Sequence, residues 1–199
     1  MKVTGICGSP RSCSSSGMLV SRALEGAASR GAETAFFRLG SMDVKGCLAC
    51  YACRNSGKCI QKDGMQDIYE ALRSSSALVL GTPVYMYGPS SQTKAFVDRL
   101  FALIGQGFRS RLGKGMPLLT IYTQGAADPG LFTGSFDMLE KALDMLGLHP
   151  AGRIPAAGIG EPSDLEGRPE LMDEAFRQGG SLVSGKRRNQ AGKASSRSV

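Results

Sequence analysis

The chain has 199 residues, 42% of them hydrophobic, which suits one domain with a full core and excludes a low-complexity or fibrous chain. Its net charge of +7 is unevenly placed: residues 186–199 hold five bases and no acid, and without them 19 basic residues face 17 acidic ones. A nearly neutral body argues against a specific nucleic-acid partner, and no apolar run nears the ~18 residues of a membrane span.

Lys2 to Cys7 reads as a buried strand, apolar on both faces. It feeds Gly8-Ser9-Pro10-Arg11-Ser12-Cys13-Ser14-Ser15-Ser16, and Ser16 to Arg30 then reads as a helix with Leu19, Ala23, Leu24 and Ala27 at helical spacing. A hydroxyl-rich loop at a helix N-terminus is an anion site, with Ser9, Ser14, Ser15 and Ser16 as donors and Arg11 as added charge. Neither G-x-G-x-x-G nor G-x-x-x-x-G-K-[ST] is present, so a mononucleotide phosphate fits better than a dinucleotide pyrophosphate.

Glu33 to Leu39 is predicted as the second strand and Ser41 to Lys62 as an irregular loop. A helical pattern follows in Met65, Ile68 and Leu72, and Ala77 to Thr82 is the third strand. The next helix is predicted over Ser90 to Ile104, and the fourth strand over Pro117 to Thr123. Phe132 to Leu146 reads as a helix whose Met138, Leu139 and Met145 belong to the core and whose Asp137, Glu140 and Asp144 form a solvated face. Ala151 to Ile159 is the fifth strand, with Pro155 suggesting an edge. Pro169 to Leu182 is the last helix, weakened at its end by Gly179 and Gly180. The domain is expected to span residues 1–185, with the cysteine loop 46–62 inserted after strand two and a basic, disordered tail over 186–199. Five strands alternating with helices predict an α/β fold with a parallel sheet, whose ligands bind at the carboxyl ends of the strands.

Two further loops fall at that edge. Thr82 to Pro89 is stiffened by two prolines and offers Tyr85 and Tyr87 as flat faces; Thr123-Gln124-Gly125-Ala126 lets a ring approach the backbone closely. A phosphate at the first loop and a flat ring between the other two describe FMN. His149, the one histidine, is assigned a surface or capping role, which leaves a hydrolase without its base. Asp98 and Arg99 read as a local ion pair, Cys7 as core and Cys13 as a loop thiol.

Gly8-Ser9-Pro10-Arg11, Pro83-Val84-Tyr85 and Lys94-Ala95-Phe96-Val97-Asp98-Arg99 together resemble the NADPH-dependent FMN reductase family of flavodoxin-like proteins, over roughly Lys2 to Ala126. The resemblance implies a flavodoxin-like three-layer sandwich with a five-stranded parallel sheet of order 2-1-3-4-5 and non-covalent FMN. It implies that Ser9, Arg11, Ser14, Ser15 and Ser16 hold the phosphate. Pro83, Val84, Tyr85, Met86 and Tyr87 would border the isoalloxazine, with Thr123 and Gly125 opposite. Family loops often read Gly-Asn-Thr where this chain has Ser14-Ser15-Ser16, so the donors remain while the turn changes.

Cys47-x2-Cys50-x2-Cys53-x5-Cys59 places four thiols within thirteen residues, with Gly57 in the longer gap. Such a set can surround one metal centre. A [4Fe-4S] cluster, a structural zinc and free or disulfide-forming thiols are the three readings. The spacing resembles that of iron–sulfur flavoproteins, a branch of the same family. That branch implies a [4Fe-4S] cluster on Cys47, Cys50, Cys53 and Cys59, electron transfer between cluster and flavin, and a homodimer or homotetramer. The expected activity is an NAD(P)H-dependent flavin oxidoreductase of the cytoplasm, serving a quinone-like acceptor or an electron-carrier protein. A flavodoxin-type carrier without direct NAD(P)H activity and a cysteine-based redox sensor are the alternatives.

Overall fold

The computed structural model describes residues 1–112 and 115–194, with side chains to residue 183. In chain order the elements are β1 (Lys2–Cys7), α1 (Ser15–Ala28), β2 (Glu33–Arg38), α2 (Cys53–Ser56), α3 (Met65–Ser74), β3 (Ala77–Tyr85), β4 (Gly88–Pro89), α4 (Ser91–Arg99), β5 (Met116–Gln124), α5 (Thr133–Met145), β6 (Leu148–Ala157) and α6 (Pro169–Ala194). The main sheet is parallel throughout, in the order β2-β1-β3-β5-β6, with β4 as a short antiparallel arm of β3. Counting only the long strands, this is the 2-1-3-4-5 order expected of a flavodoxin-like sheet.

Two apolar layers follow from the alternation of side chains along the strands. Leu78 and Leu80 of β3 face the layer that holds Ile68 and Leu72 of α3, Phe96 of α4 and Phe136 of α5. Val79 faces the other layer, with Leu19 and Val20 of α1 and Ala175 of α6. Burying each of these large side chains contributes about 1.5–3 kcal/mol, and together they hold the carboxyl edge of β1, β3 and β5 in fixed register.

Pro155 lies on the edge strand β6, as its missing N–H demands. Gly179 and Gly180, expected to weaken the last helix, serve instead as a contact surface. A Cβ on Gly179 would lie 1.9 Å from the Ala23 carbonyl oxygen, and one on Gly26 would lie 1.9 Å from that of Phe176. Helices α1 and α6 therefore cross backbone to backbone. The helical backbone of α6 continues to Ala194, past Leu182; residues 195–199 of the expected basic tail lie outside the described residues.

Several side-chain expectations are corrected. The α4 helix ends at Arg99, and a 3-10 turn over Leu100–Leu103 completes the stretch expected to be helical to Ile104. Met138 and Met145 are exposed, at 70% and 54%, rather than core. Glu140 is buried: its carboxylate accepts from Thr120 Oγ1 at 2.6 Å, from Tyr122 Oη at 3.3 Å and from Arg153 Nε at 2.8 Å. Asp98 and Arg99 do not pair with each other. Lys94 donates to Asp98 at 2.7 Å, whereas Arg99 binds Asp63, because successive helical residues face different directions. Among the described residues, no helix is long and apolar enough to cross a membrane.

Candidate functional site

The carboxyl ends of β1, β3, β5 and β6 frame one cleft. The Gly8 N–H donates to the Gly81 carbonyl at 2.7 Å, so the loop after β1 leaves the sheet directly beside β3. Ser14 caps α1, its hydroxyl accepting from Gly17 N–H at 3.2 Å. Ser9, Ser14, Ser15 and Ser16 are all buried, between 1% and 6% exposed. The hydroxyls of Ser14 and Ser16 also stand 3.6 and 3.8 Å from the buried Cys7 Sγ. This places four hydroxyls at the positive end of a 14-residue helix. Arg11 reaches across the cleft, its guanidinium donating to the Gly160 carbonyl at 3.1 Å.

Ser9, Arg11, Ser14, Ser15, Ser16, Pro83, Val84, Tyr85, Thr123 and Gly125 line this one cleft, together with Gln124, Ile159 and Gly160. Met86 and Tyr87, expected at the ring, do not line it. They form the two-residue turn between β3 and β4, both with positive φ (47° and 66°), and are 98% and 72% exposed. The primed turn follows the twist of the hairpin and turns these side chains outward; Tyr87 packs edge-on against Phe132 at 5.1 Å.

Gln124 is the residue that sequence reasoning passed over. Its side chain is 2% exposed; Nε2 donates to the carbonyls of Ala126 and Asp128 at 3.3 and 2.7 Å, while Oε1 has no partner. A buried amide acceptor left unpaired at the wall of a cleft fits a ligand that brings an N–H. The available signal was its position: a polar residue at the carboxyl end of an otherwise apolar strand.

A second cavity, of 340 Å³, is lined by all four of Cys47, Cys50, Cys53 and Cys59. Left-handed backbone at Ala49 (φ 50°) and Tyr51 (φ 56°) bends the chain on both sides of Cys50, and Gly57 (φ 69°) ends the single turn of α2 before Cys59. Side chains from elsewhere hold the loop by its carbonyls. Arg111 donates to Arg54 and Asn55, Arg73 to Gly57, and Gln66 to Gln61. The Cys53 thiol pKa is pushed up, mainly by burial and further by the neighbouring charges of Cys59, Cys47 and Cys50, against a lowering backbone hydrogen bond.

No three His, Cys, Asp or Glu side chains among the described residues gather closely enough to hold a single metal ion. The thiols stand around a space. A mononuclear zinc needs its sulfurs ~2.3 Å from one point, whereas a polynuclear centre takes its ligands at separate corners. The donor chemistry fits the latter. Leu48, Ile60, Phe101 and Ala102 give the cavity apolar walls.

Of the remaining candidates, Cys7 is buried and Cys13 exposed, both free. His149 is exposed and pairs with Asp144, consistent with its surface role.

The profile of the NADPH-dependent FMN reductase family matches residues 1–154. An iron–sulfur flavoprotein of Methanocaldococcus jannaschii is 38% identical over 114 residues, covering 57% of this chain and 59% of the relative, so the chain spans less than two thirds of that protein. An iron–sulfur flavoprotein of Archaeoglobus fulgidus is 30% identical over 167 residues, covering 82% of this chain and 73% of the relative. The solved structure of an NAD(P)H:quinone oxidoreductase from Methanothermobacter marburgensis superposes with a TM-score of 0.71 at 18% identity, over 92% of this chain and 96% of that one. That likeness establishes the flavodoxin-like fold.

Proposed function

Because the chain belongs to the NADPH-dependent FMN reductase family, we propose that it is an FMN-dependent oxidoreductase that draws electrons from a reduced nicotinamide and delivers them to a quinone-like acceptor or an electron-carrier protein. The observation that carries this reading is the cleft itself. It has four buried serine hydroxyls and Arg11 at the N-terminus of α1, and a buried, unpartnered Gln124 Oε1 across from them. The first group suits a phosphate; the second suits the N–H edge of a flavin ring. FMN bound there would supply a centre that takes up two electrons and releases them together or singly.

The chain's own residues bind and orient. Ser9, Ser14, Ser15 and Ser16 would donate to phosphate oxygens, and Arg11 adds charge while holding the cleft to Gly160. Pro83, Val84 and Tyr85 would form one wall and Thr123 and Gly125 the other. Met86 and Tyr87 would guard the mouth from the hairpin tip. Cys47, Cys50, Cys53 and Cys59 would hold a [4Fe-4S] cluster, which supplies a one-electron store. Self-association into a homodimer or homotetramer belongs to the same proposal, supported by the exposed Leu48, Tyr51 and Ile60 beside the cysteine cavity.

The test is an anaerobic absorption spectrum of the purified chain, with iron and acid-labile sulfide assays on the same sample, followed by addition of NADPH. Flavin bands that bleach with NADPH, together with iron and sulfide, are expected. No flavin after reconstitution with FMN would overturn the reading; flavin without iron or sulfide would remove the cluster from it.

A further inference from the structure

The wall of the cysteine cavity contains a buried cation. Arg99 lines the cavity with the four cysteines and is 1% exposed. Its guanidinium is held on the opposite side with unusual completeness. Nη1 donates to Asp63 Oδ2 at 2.6 Å and to the Lys45 carbonyl at 2.8 Å, and Nη2 donates to Asp63 Oδ1 at 2.9 Å. The Tyr69 hydroxyl donates to the Arg99 carbonyl at 2.7 Å and fixes its backbone as well. Arg99 Nε is the nitrogen left over: it is buried and has no hydrogen-bond partner.

A buried N–H of a charged group without an acceptor is costly, and native interiors hold few. The bidentate fork to Asp63 sets the guanidinium plane, so Nε cannot turn away to find another partner. Asp98, the other charged residue on the cavity wall, is already engaged by Lys94 through both oxygens. The acceptors that remain at this wall are the sulfurs.

We propose that Arg99 Nε–H donates to a sulfur of the iron–sulfur group held by Cys47, Cys50, Cys53 and Cys59, and thereby raises the reduction potential of that group. The inference rests on the cluster reading above. Reduction adds one electron to the group; no covalent bond forms or breaks and no proton is taken up. The added charge spreads onto sulfur, where a fixed N–H dipole and a positive charge stabilise it, and hydrogen bonds to sulfur are one of the levers that set such potentials. Asp63 has two roles in this arrangement: it neutralises the buried cation and it aims the free N–H.

The experiment is an EPR-monitored potentiometric titration of the anaerobically reconstituted full chain, beside iron and sulfide counts, for three proteins: the unchanged chain, Arg99→Lys, and the double variant Arg99→Gln with Asp63→Asn. The lysine keeps a partner for Asp63 and loses the Nε–H. The double variant leaves no unpaired buried charge, so it keeps the test open if Arg99→Lys fails to fold. With iron and sulfide unchanged, each variant is expected to shift the reduced-to-oxidised ratio at a given potential roughly tenfold towards the oxidised form, about 59 mV for a one-electron couple. A purely structural role for Arg99 would lower the melting temperature and leave that ratio alone. Equal potentials in loaded variants overturn the inference and spare the cluster reading. Loss of iron from both variants while the unchanged chain loads also overturns it, since Arg99 would then serve assembly. An unchanged chain that takes up no iron or sulfide overturns the cluster reading, and the inference with it.

Discussion

Gly8 lies so close to Thr93 that a Cβ on Gly8 would sit 1.7 Å from Thr93 Oγ1. Thr93 cannot easily retreat: its hydroxyl bonds Thr82 Oγ1 at 2.8 Å and Ser90 Oγ at 3.0 Å, and Ser90 in turn donates to the Gly8 carbonyl. The first residue of the serine loop is thus pinned to the N-terminus of α4. Gly8→Ala should force the two apart, destabilising the fold by about 1–3 kcal/mol as overpacking does and weakening FMN. A thermal melt and a flavin-fluorescence titration check both effects; an unchanged melting temperature would contradict the close packing.

Arg11→Ala should weaken FMN by about ten- to a hundredfold, the worth of a charge-assisted hydrogen bond of ~1.5–3 kcal/mol. Riboflavin, which lacks the phosphate, should bind both proteins alike. Equal loss for the two flavins would assign Arg11 to holding the cleft through Gly160 rather than to the phosphate.

Asp63 carries a pH signature. Burial pushes its carboxyl pKa up, but the hydrogen bonds from Arg99 and from the N–H groups of Lys45 and Met65, with the Arg99 charge, bring it below the ordinary value. A depressed folded pKa means stability that is present above the unfolded pKa of ~3.9 and lost as pH falls through the folded value. Asp63→Asn should therefore cost about 3–5 kcal/mol near neutral pH, because it leaves Arg99 buried and unpaired. The difference from the unchanged chain should shrink only below about pH 4. Urea melts at pH 7, 5 and 3 give the comparison.

Glu140→Leu should cost about 1–3 kcal/mol, the penalty for stranding buried partners: Thr120 and Tyr122 lose their acceptor and Arg153 keeps only Asp137. Flavin affinity should be unaffected, since Glu140 lies outside the cleft. A melting temperature equal to that of the unchanged chain would show the network to be energetically idle.

In the metal-free chain the thiols should differ in reactivity. Cys13, Cys47 and Cys50 are exposed, Cys59 is half-buried, and Cys53 and Cys7 are buried. Since only the thiolate attacks and the Cys53 pKa is raised, iodoacetamide labelling followed by mass spectrometry should mark the first three early and Cys53 and Cys7 last. Uniform labelling would mean that the loop opens faster than it reacts.

What could be read from the sequence was local. Lys2–Cys7 and Ala77–Thr82 announce buried strands by their apolar runs, and the serines after Cys7 lie at a helix start because strand, loop and helix are contiguous. The four cysteines share a cavity because twelve residues cannot carry them far apart. What escaped was non-local. Arg99 and Asp63 are 36 positions apart and meet only because α4 packs beside the loop before α3. Glu140 has the spacing of a solvent-facing residue, and only the placement of Arg153 on β6 makes its burial affordable. Met86 and Tyr87 look like ring-stacking residues until two positive φ angles turn them outward.

The crossing of α1 and α6 has a consequence for the order in which the molecule can be assembled. The serine loop opens directly into α1, and the backbone of α1 at Ala23 and Gly26 rests on that of α6 at Phe176 and Gly179. During synthesis the first helix emerges early and the last emerges after every strand of the sheet. Until then α1 has one face without a neighbour, so the loop in front of it gains its final rigidity only when nearly the whole chain has left the ribosome. Flavin capture should accordingly be a late event in biogenesis.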